Sequence, residues 1–241
     1  MQSLLSLKKK QEISDLKKEK STKKSGESKF FRFFRIFFAG IVGAVLHIKV
    51  VGGENEPQKG GYLVCANHIS ATDPICLCYA FKKNQVHFMA KKELFGIPVI
   101  SGLIRLLGAF PVDRSGSDVG AIKTAISLVG DGGCLGIFPQ GHRYPETDPR
   151  ETPVKNGAAM IAAKNGADIV PAYLWTKNKK KTLFGRVYVV IGEVIPFESL
   201  GYDENASGEY ARISKIVFDK VCTLGEEFSK EMEAKKKGKN K

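Results

Sequence analysis

The sequence predicts one α/β domain, a largely parallel mixed sheet flanked by helices, carried behind an N-terminal membrane-interfacial helix. Three observations lead there. From residue 46 onward, short β-like apolar runs alternate with segments of helical period, the pattern of a sheet covered on both faces. The run Cys134–Phe138 is apolar throughout, as a strand buried on both sides must be. Ahead of these lies an apolar stretch too short to cross a bilayer, preceded by a basic arm. At 241 residues the chain is long enough for one such domain with a packed core, and its length demands no second.

Charge divides the chain further. The net charge is +13, but residues 1–35 carry +7 of it and residues 230–241 carry +4. The remaining body is only +2, so the basicity belongs to the ends and not to a groove on the folded part. Nucleic acid is one partner for basic ends, yet no helix-turn-helix, zinc-finger or RNA-binding aromatic motif accompanies them. An anionic membrane surface suits them better, because an apolar segment follows the first. Five cysteines, an odd number lying mostly in apolar runs, indicate a reducing compartment and no disulfide framework.

Residues 1–29 read as a basic mobile arm, and residues 30–46 as the interfacial helix. Only Ile36–Leu46 is free of charge, about 16 Å of helix or roughly half the hydrocarbon thickness. Arg32 and Arg35 can snorkel to phosphates while the phenylalanines around them dip below. A short spanning helix, a signal peptide or a buried core helix are the alternatives. The folded domain is expected over 47–229, with a basic tail at 230–241.

Leu46, Ile48 and Val50 alternate with polar residues, predicting a first strand that stops at Gly52-Gly53. Leu63–Ala66 is the second strand. Pro74–Phe81 follows as a helix with Asp73 as N-cap and Pro74 at its first position. Val86–Ala90 is a strand, Ile97–Leu107 a helix, and Ala109–Val112 a short strand. Val119–Val129 is helical and stops at the Gly130-Asp131-Gly132-Gly133 turn. Lys155–Asn165 is a helix closed by Gly166. Ile169–Leu174 and Val187–Ile191 are strands, and Pro171 marks an edge, bend or bulge. Tyr210–Ala234 is the last helix, fading into lysines.

The chemistry gathers where strands end. His68 leaves the second strand, with Asp73 five residues on. Within one helix these side chains would point well apart. They meet only if His68 lies in the loop and Asp73 begins the helix; Asp73 would then hold one ring nitrogen and leave the other as general base. A capping aspartate beside a surface histidine fits the same residues. Cys65, His68, Cys76 and Cys78 are close in sequence, but a strand and an apolar helix do not converge thiolates on zinc, so no metal is expected. Asp113-Arg114, at the exit of a strand, offers a guanidinium fork for a phosphate or else a surface ion pair. Lys91, after Val86–Ala90, is a second phosphate candidate or a solvated lysine. In Phe138-Pro139-Gln140-Gly141-His142-Arg143 the glycine allows close approach of a ligand; His142 lacks a carboxylate to orient it.

The ordered set Asn67-His68-x-x-x-x-Asp73, Val112-Asp113-Arg114, Phe138-Pro139-x-Gly141-x-Arg143 and Val170-Pro171 resembles the glycerolipid acyltransferase family, nearest its lysophosphatidate-accepting branch. The likeness covers about residues 30–195. It implies His68 and Asp73 as catalytic pair, acceptor phosphate on Arg114 and Lys91, and Gln140, Gly141 and Arg143 in the acceptor site. It further implies acyl transfer from acyl carrier protein or coenzyme A thioesters to a lysophosphatidate sn-2 hydroxyl, making phosphatidic acid. No cofactor is implied, and the place is the cytoplasmic face of the cell membrane. The family usually has Phe-Pro-Glu-Gly-Thr-Arg where this chain has Gln140 and His142. That departure leaves another acceptor, such as glycerol 3-phosphate or a different lysophospholipid, and a non-catalytic lipid-binding role as alternatives.

Overall fold

Strand β2 (Leu63–Ala66) is the centre of the molecule, and all four of its side chains are buried. In the computed structural model, which describes residue 40 and residues 43–113, 118–177 and 185–239, it lies between β5 (Cys134–Ile137) and β6 (Ile169–Thr176), parallel to both. The described residues belong to one compact unit spanning 36–241. The remaining strands are β1 (Ile48–Val51), β3 (Val86–Lys91), β4 (Ala109–Val112) and β7 (Val187–Ile191). Their order across the sheet is β1-β7-β6-β2-β5-β3-β4. Five neighbours, from β6 to β4, run the same way; β7 is antiparallel to β6, and β1 follows β7. The sheet is therefore mixed and largely parallel, as the sequence predicts.

Alternation along β2 explains its unbroken apolarity. Leu63 and Cys65 face one core, with Leu135, Ile161, Ile213 and Val221; Val64 and Ala66 face the other, with Leu77, Phe81, Phe88 and Val189. The first core is covered by α3 (Val119–Gly130), α4 (Gly157–Asn165) and α5 (Glu209–Lys239). The second is covered by α1 (Asp73–Ala80), with α2 (Pro98–Leu106) contributing Leu103. Each fully buried leucine or isoleucine contributes about 1.5–3 kcal/mol, so a core on both faces fixes β2 firmly. Gly136 of β5 makes room for the Phe88 ring: a Cβ there would lie 2.1 Å from it.

Several boundaries move for physical reasons. The first strand starts at Ile48, not Leu46, because His47 takes a positive φ of 52° and breaks the alternation. Pro171 sits on an interior strand, not an edge. Its carbonyl accepts from Gly192 N–H just where β7 has ended at Ile191, so its missing N–H falls in a gap of the ladder. Thr72, not Asp73, is the N-cap of α1; Asp73 is the first helical residue. Helix α5 runs five residues beyond Ala234, so the described part of the basic tail is helical. The basic arm and all but the last turn of the expected interfacial helix lie outside the described residues, as does Arg114.

Candidate active site

Parallel packing sends the ends of β2, β5, β3 and β6 to one edge of the sheet, and the chemistry-bearing residues collect there. Asn67, first beyond β2, is buried and acts as an extra rung of the ladder. Its side-chain amide donates to Leu174 O at 3.1 Å, and its side-chain oxygen accepts from Leu174 N–H at 2.7 Å. This clamps the end of β2 to β6 and sets the direction in which the chain delivers His68.

His68 Nδ1 lies 2.7 Å from Asp73 Oδ2. The same oxygen accepts the backbone N–H groups of Ile69 at 2.6 Å and Ser70 at 2.7 Å. Asp73 is thus turned back into the loop and makes no cap for its own helix, which corrects the capping role expected for it. Its carboxylate is buried and faces three convergent donors. A carboxylate facing Nδ1 requires a proton there, so Nε2 is the nitrogen left unprotonated. No described residue hydrogen-bonds Nε2, and the His68 side chain keeps 14% of its surface open. The imidazole stacks on Phe138, with centroids 4.1 Å apart and planes 16° from parallel, and Phe138 in turn stacks on Phe88.

The Phe138–Arg143 segment holds the histidine from behind. Gln140 is 1% exposed. Its Oε1 accepts the His68 backbone N–H at 2.6 Å, and its Nε2 donates to Thr152 Oγ1 at 2.8 Å; that hydroxyl donates to Pro149 O at 2.6 Å. Tyr144 N–H closes the arrangement on His68 O at 2.8 Å. Both ends of the Gln140 amide are used inside the protein, so its expected place in the acceptor site is corrected: it supports His68. The last three residues of this segment do meet solvent. Gly141, at φ 73°, turns the chain against the stem of Lys155, and His142 and Arg143 are exposed. Lys91 ends β3 at the same edge, half exposed, with its amine 3.4 Å from Glu93.

Two members of the site, Thr152 and Lys155, carry no sequence signal. A threonine twelve residues beyond Gln140 becomes a partner only once the loop has folded. The cysteines take no part in this chemistry. All five are buried, and burial pushes the Cys65 thiol up to about 12, far from the thiolate a nucleophile or zinc ligand needs. Among the described residues no group of histidine, cysteine, aspartate and glutamate converges as a metal site.

An oriented imidazole with an open Nε2, beside exposed cations, is the outfit of a hydroxyl-activating transferase. The family model described as Acyltransferase matches residues 47–175, more than half of the chain. The chain belongs to the acyltransferase family. The match runs from β1 to Trp175, the penultimate residue of β6, and contains every site residue named above. The chain is similar to the 1-acyl-sn-glycerol-3-phosphate acyltransferase of Bacillus subtilis, 38% identical over 61% of this chain and 72% of that one. It is 34% identical to the Borreliella burgdorferi protein of the same name, over 56% of this chain and 54% of that one. The fold of this acyltransferase-family chain is also that of the crystal structure of 1-acyl-sn-glycerophosphate acyltransferase, PlsC, from Thermotoga maritima. There the TM-score is 0.63 at 25% identity, over 89% and 88% of the two chains.

Proposed function

We propose that this chain transfers an acyl group from an acyl-carrier-protein or coenzyme A thioester to the sn-2 hydroxyl of 1-acyl-sn-glycerol 3-phosphate. The product is phosphatidic acid. The observation that carries the reading is the 2.7 Å contact between His68 Nδ1 and Asp73 Oδ2, which aims an open Nε2 at the sheet edge. The shared name of the relatives supports the choice of acceptor.

His68 Nε2 takes the proton of the acceptor hydroxyl as its oxygen attacks the thioester carbon, and Asp73 stabilises the imidazolium that forms. Collapse of the tetrahedral oxyanion breaks the C–S bond. The departing sulfur takes the proton back from His68, so the products are the ester and a free thiol. The acceptor oxygen is itself the nucleophile, and no acyl-enzyme or cofactor enters. Lys91, Arg114 and Arg143 hold the acceptor phosphate, with Gly141 permitting its approach. Gln140 supports the chemistry in place of the family's usual glutamate, because an amide oxygen accepts the His68 N–H as well as a carboxylate does. The non-catalytic alternative thus loses its main ground. The enzyme works peripherally on the cytoplasmic face of the membrane, held by residues 30–46.

Release of free thiol by the purified protein, offered 1-acyl-sn-glycerol 3-phosphate and an acyl thioester, tests the reading. It should be acceptor-dependent and selective for this acceptor over glycerol 3-phosphate and phosphate-free lysolipids. Thioester left intact with every acceptor contradicts it.

A further inference from the structure

Two exposed features flank His68 at the same sheet edge, and apart from Lys91 neither is used by the chemistry. The first is the stretch after β3. Helix α2 carries Val99, Ile100, Leu103, Ile104 and Leu106 on one broad side, with Ser101 and Arg105 opposite, yet none of its residues is buried. Ile97 is 46% exposed, Val99 85% and Ile100 37%. Lys91 and Lys92 stand at the head of this stretch, both exposed, and Arg105 lies over the Phe95 ring at 5.0 Å.

The second feature is the far end of α5. Gly225 packs on Tyr173, and Phe228 and Ser229 reach Trp175, so the helix runs parallel to β6 toward its carboxyl end. Met232 is its last residue packed on the core. Beyond it the helix continues, exposing Lys235, Lys236 and Lys237. In sheet order β2 lies between β6, under α5, and β3, which leads to α2. Neighbouring strands are about 4.8 Å apart, so β6 to β3 spans only about 14 Å. The His68 edge therefore has an exposed apolar helix on one side and a lysine turn on the other.

We infer that this edge docks on an anionic lipid bilayer, with Ile97, Val99 and Ile100 entering the headgroup boundary and Lys236 and Lys237 meeting acidic headgroups, while Lys235 is paired with Glu231. Apolar side chains with cations beside them match such a surface in both hydrophobicity and charge. A single contact of this kind tethers weakly, whereas two contacts either side of the site fix its orientation. The acceptor hydroxyl then reaches Nε2 without leaving the membrane. The inference rests on the lipid-acceptor reading above and adds to it the face that meets the lipid.

The buried cysteines make the test direct. In the full chain, Val99→Cys takes an environment-sensitive fluorophore selectively, and Glu204→Cys, in the loop before α5, serves as the probe of the opposite edge. On adding vesicles of mixed phosphatidylglycerol and phosphatidylcholine, the Val99→Cys probe should shift to the blue and lose quenching by aqueous iodide. The Glu204→Cys probe should do neither. Lys236→Glu with Lys237→Glu should weaken vesicle binding by on the order of 5-fold or more per lysine. A silent Val99→Cys probe on vesicle-bound protein overturns the inference, as does a shift that needs only higher protein concentration and no lipid. Thiol release in detergent, measured on the same variants, separates the two claims. Turnover without docking removes the docking face alone, and docking without turnover removes the functional reading.

Discussion

Gln140 accepts the backbone N–H of His68 at 2.6 Å, joining two loops 72 residues apart in the chain. The interaction reaches the main chain and not the ring, so it governs where the imidazole stands and leaves its protonation to Asp73. Replacing Gln140 by leucine leaves a buried N–H unpaired and should destabilise the fold by about 1–3 kcal/mol. Displacing the general base should lower kcat by about 10–100-fold, with KM for the acceptor little changed. Gln140→Glu offers the same acceptor and should restore most of kcat. A raised KM at unchanged kcat in Gln140→Leu would instead place the amide on the acceptor.

Asp73 has two duties that different substitutions separate. Asp73→Ala removes the acceptor of three donors and should destabilise by at least about 2 kcal/mol, visible as a lowered midpoint of urea unfolding. Asp73→Asn keeps the shape and can keep the two backbone contacts, yet it no longer holds the required tautomer or stabilises an imidazolium. It should lose about 10²–10⁴-fold in kcat with a smaller change in stability. Equal losses of stability in the two variants would show that Asp73 is structural only.

Gly136 connects the core to the site through three rings. A Cβ there would meet Phe88 at 2.1 Å, Phe88 stacks on Phe138, and Phe138 stacks under His68. Overpacking of this kind typically destabilises by about 1–3 kcal/mol. Gly136→Ala should therefore reduce kcat as well as stability, although the residue is buried away from any substrate. Pairing it with Phe88→Leu, which vacates the space, should recover part of both. Steady-state kinetics beside thermal unfolding would check this, and a double variant no better than the single would count against the ring relay.

Glu209 bears on acid stability. Its hydrogen bond with Arg212, and then the Asp203 N–H, hold its carboxyl down to about 2 from an ordinary 4.5. A lowered folded-state value means that the stabilisation is complete above about pH 4.5 and is lost as pH falls toward 2. Glu209→Gln should accordingly be less stable than the parent at neutral pH, and the difference should close across that window. Urea unfolding of the two proteins between pH 6 and 2 measures it; a difference independent of pH would contradict the assignment.

The alternation of short apolar runs with helical segments is enough to read the sheet and its flanking helices, because β2 and β5 are buried on both faces and are apolar throughout. The His68–Asp73 meeting was also legible, since only a loop-then-helix geometry brings residues five apart together. What the sequence hid were contacts made by chain reversal. Asp73-Pro74 looks like a cap from its residue types, but the carboxylate finds better donors behind it, in Ile69 and Ser70. Gln140 looks like a ligand residue beside Gly141, but Thr152 and His68 take both ends of its amide. Burial decides between such readings, and burial is a property of the packed loops.

The most direct test of the account is thiol release by the purified full chain carrying His68→Ala, with 1-acyl-sn-glycerol 3-phosphate and an acyl thioester. Removing the general base should lower kcat by about 10²–10⁴-fold, while stability falls by only about 1–3 kcal/mol as Asp73 gives up one donor, since Gln140 still holds the main chain. Turnover within a few-fold of the parent protein would contradict it.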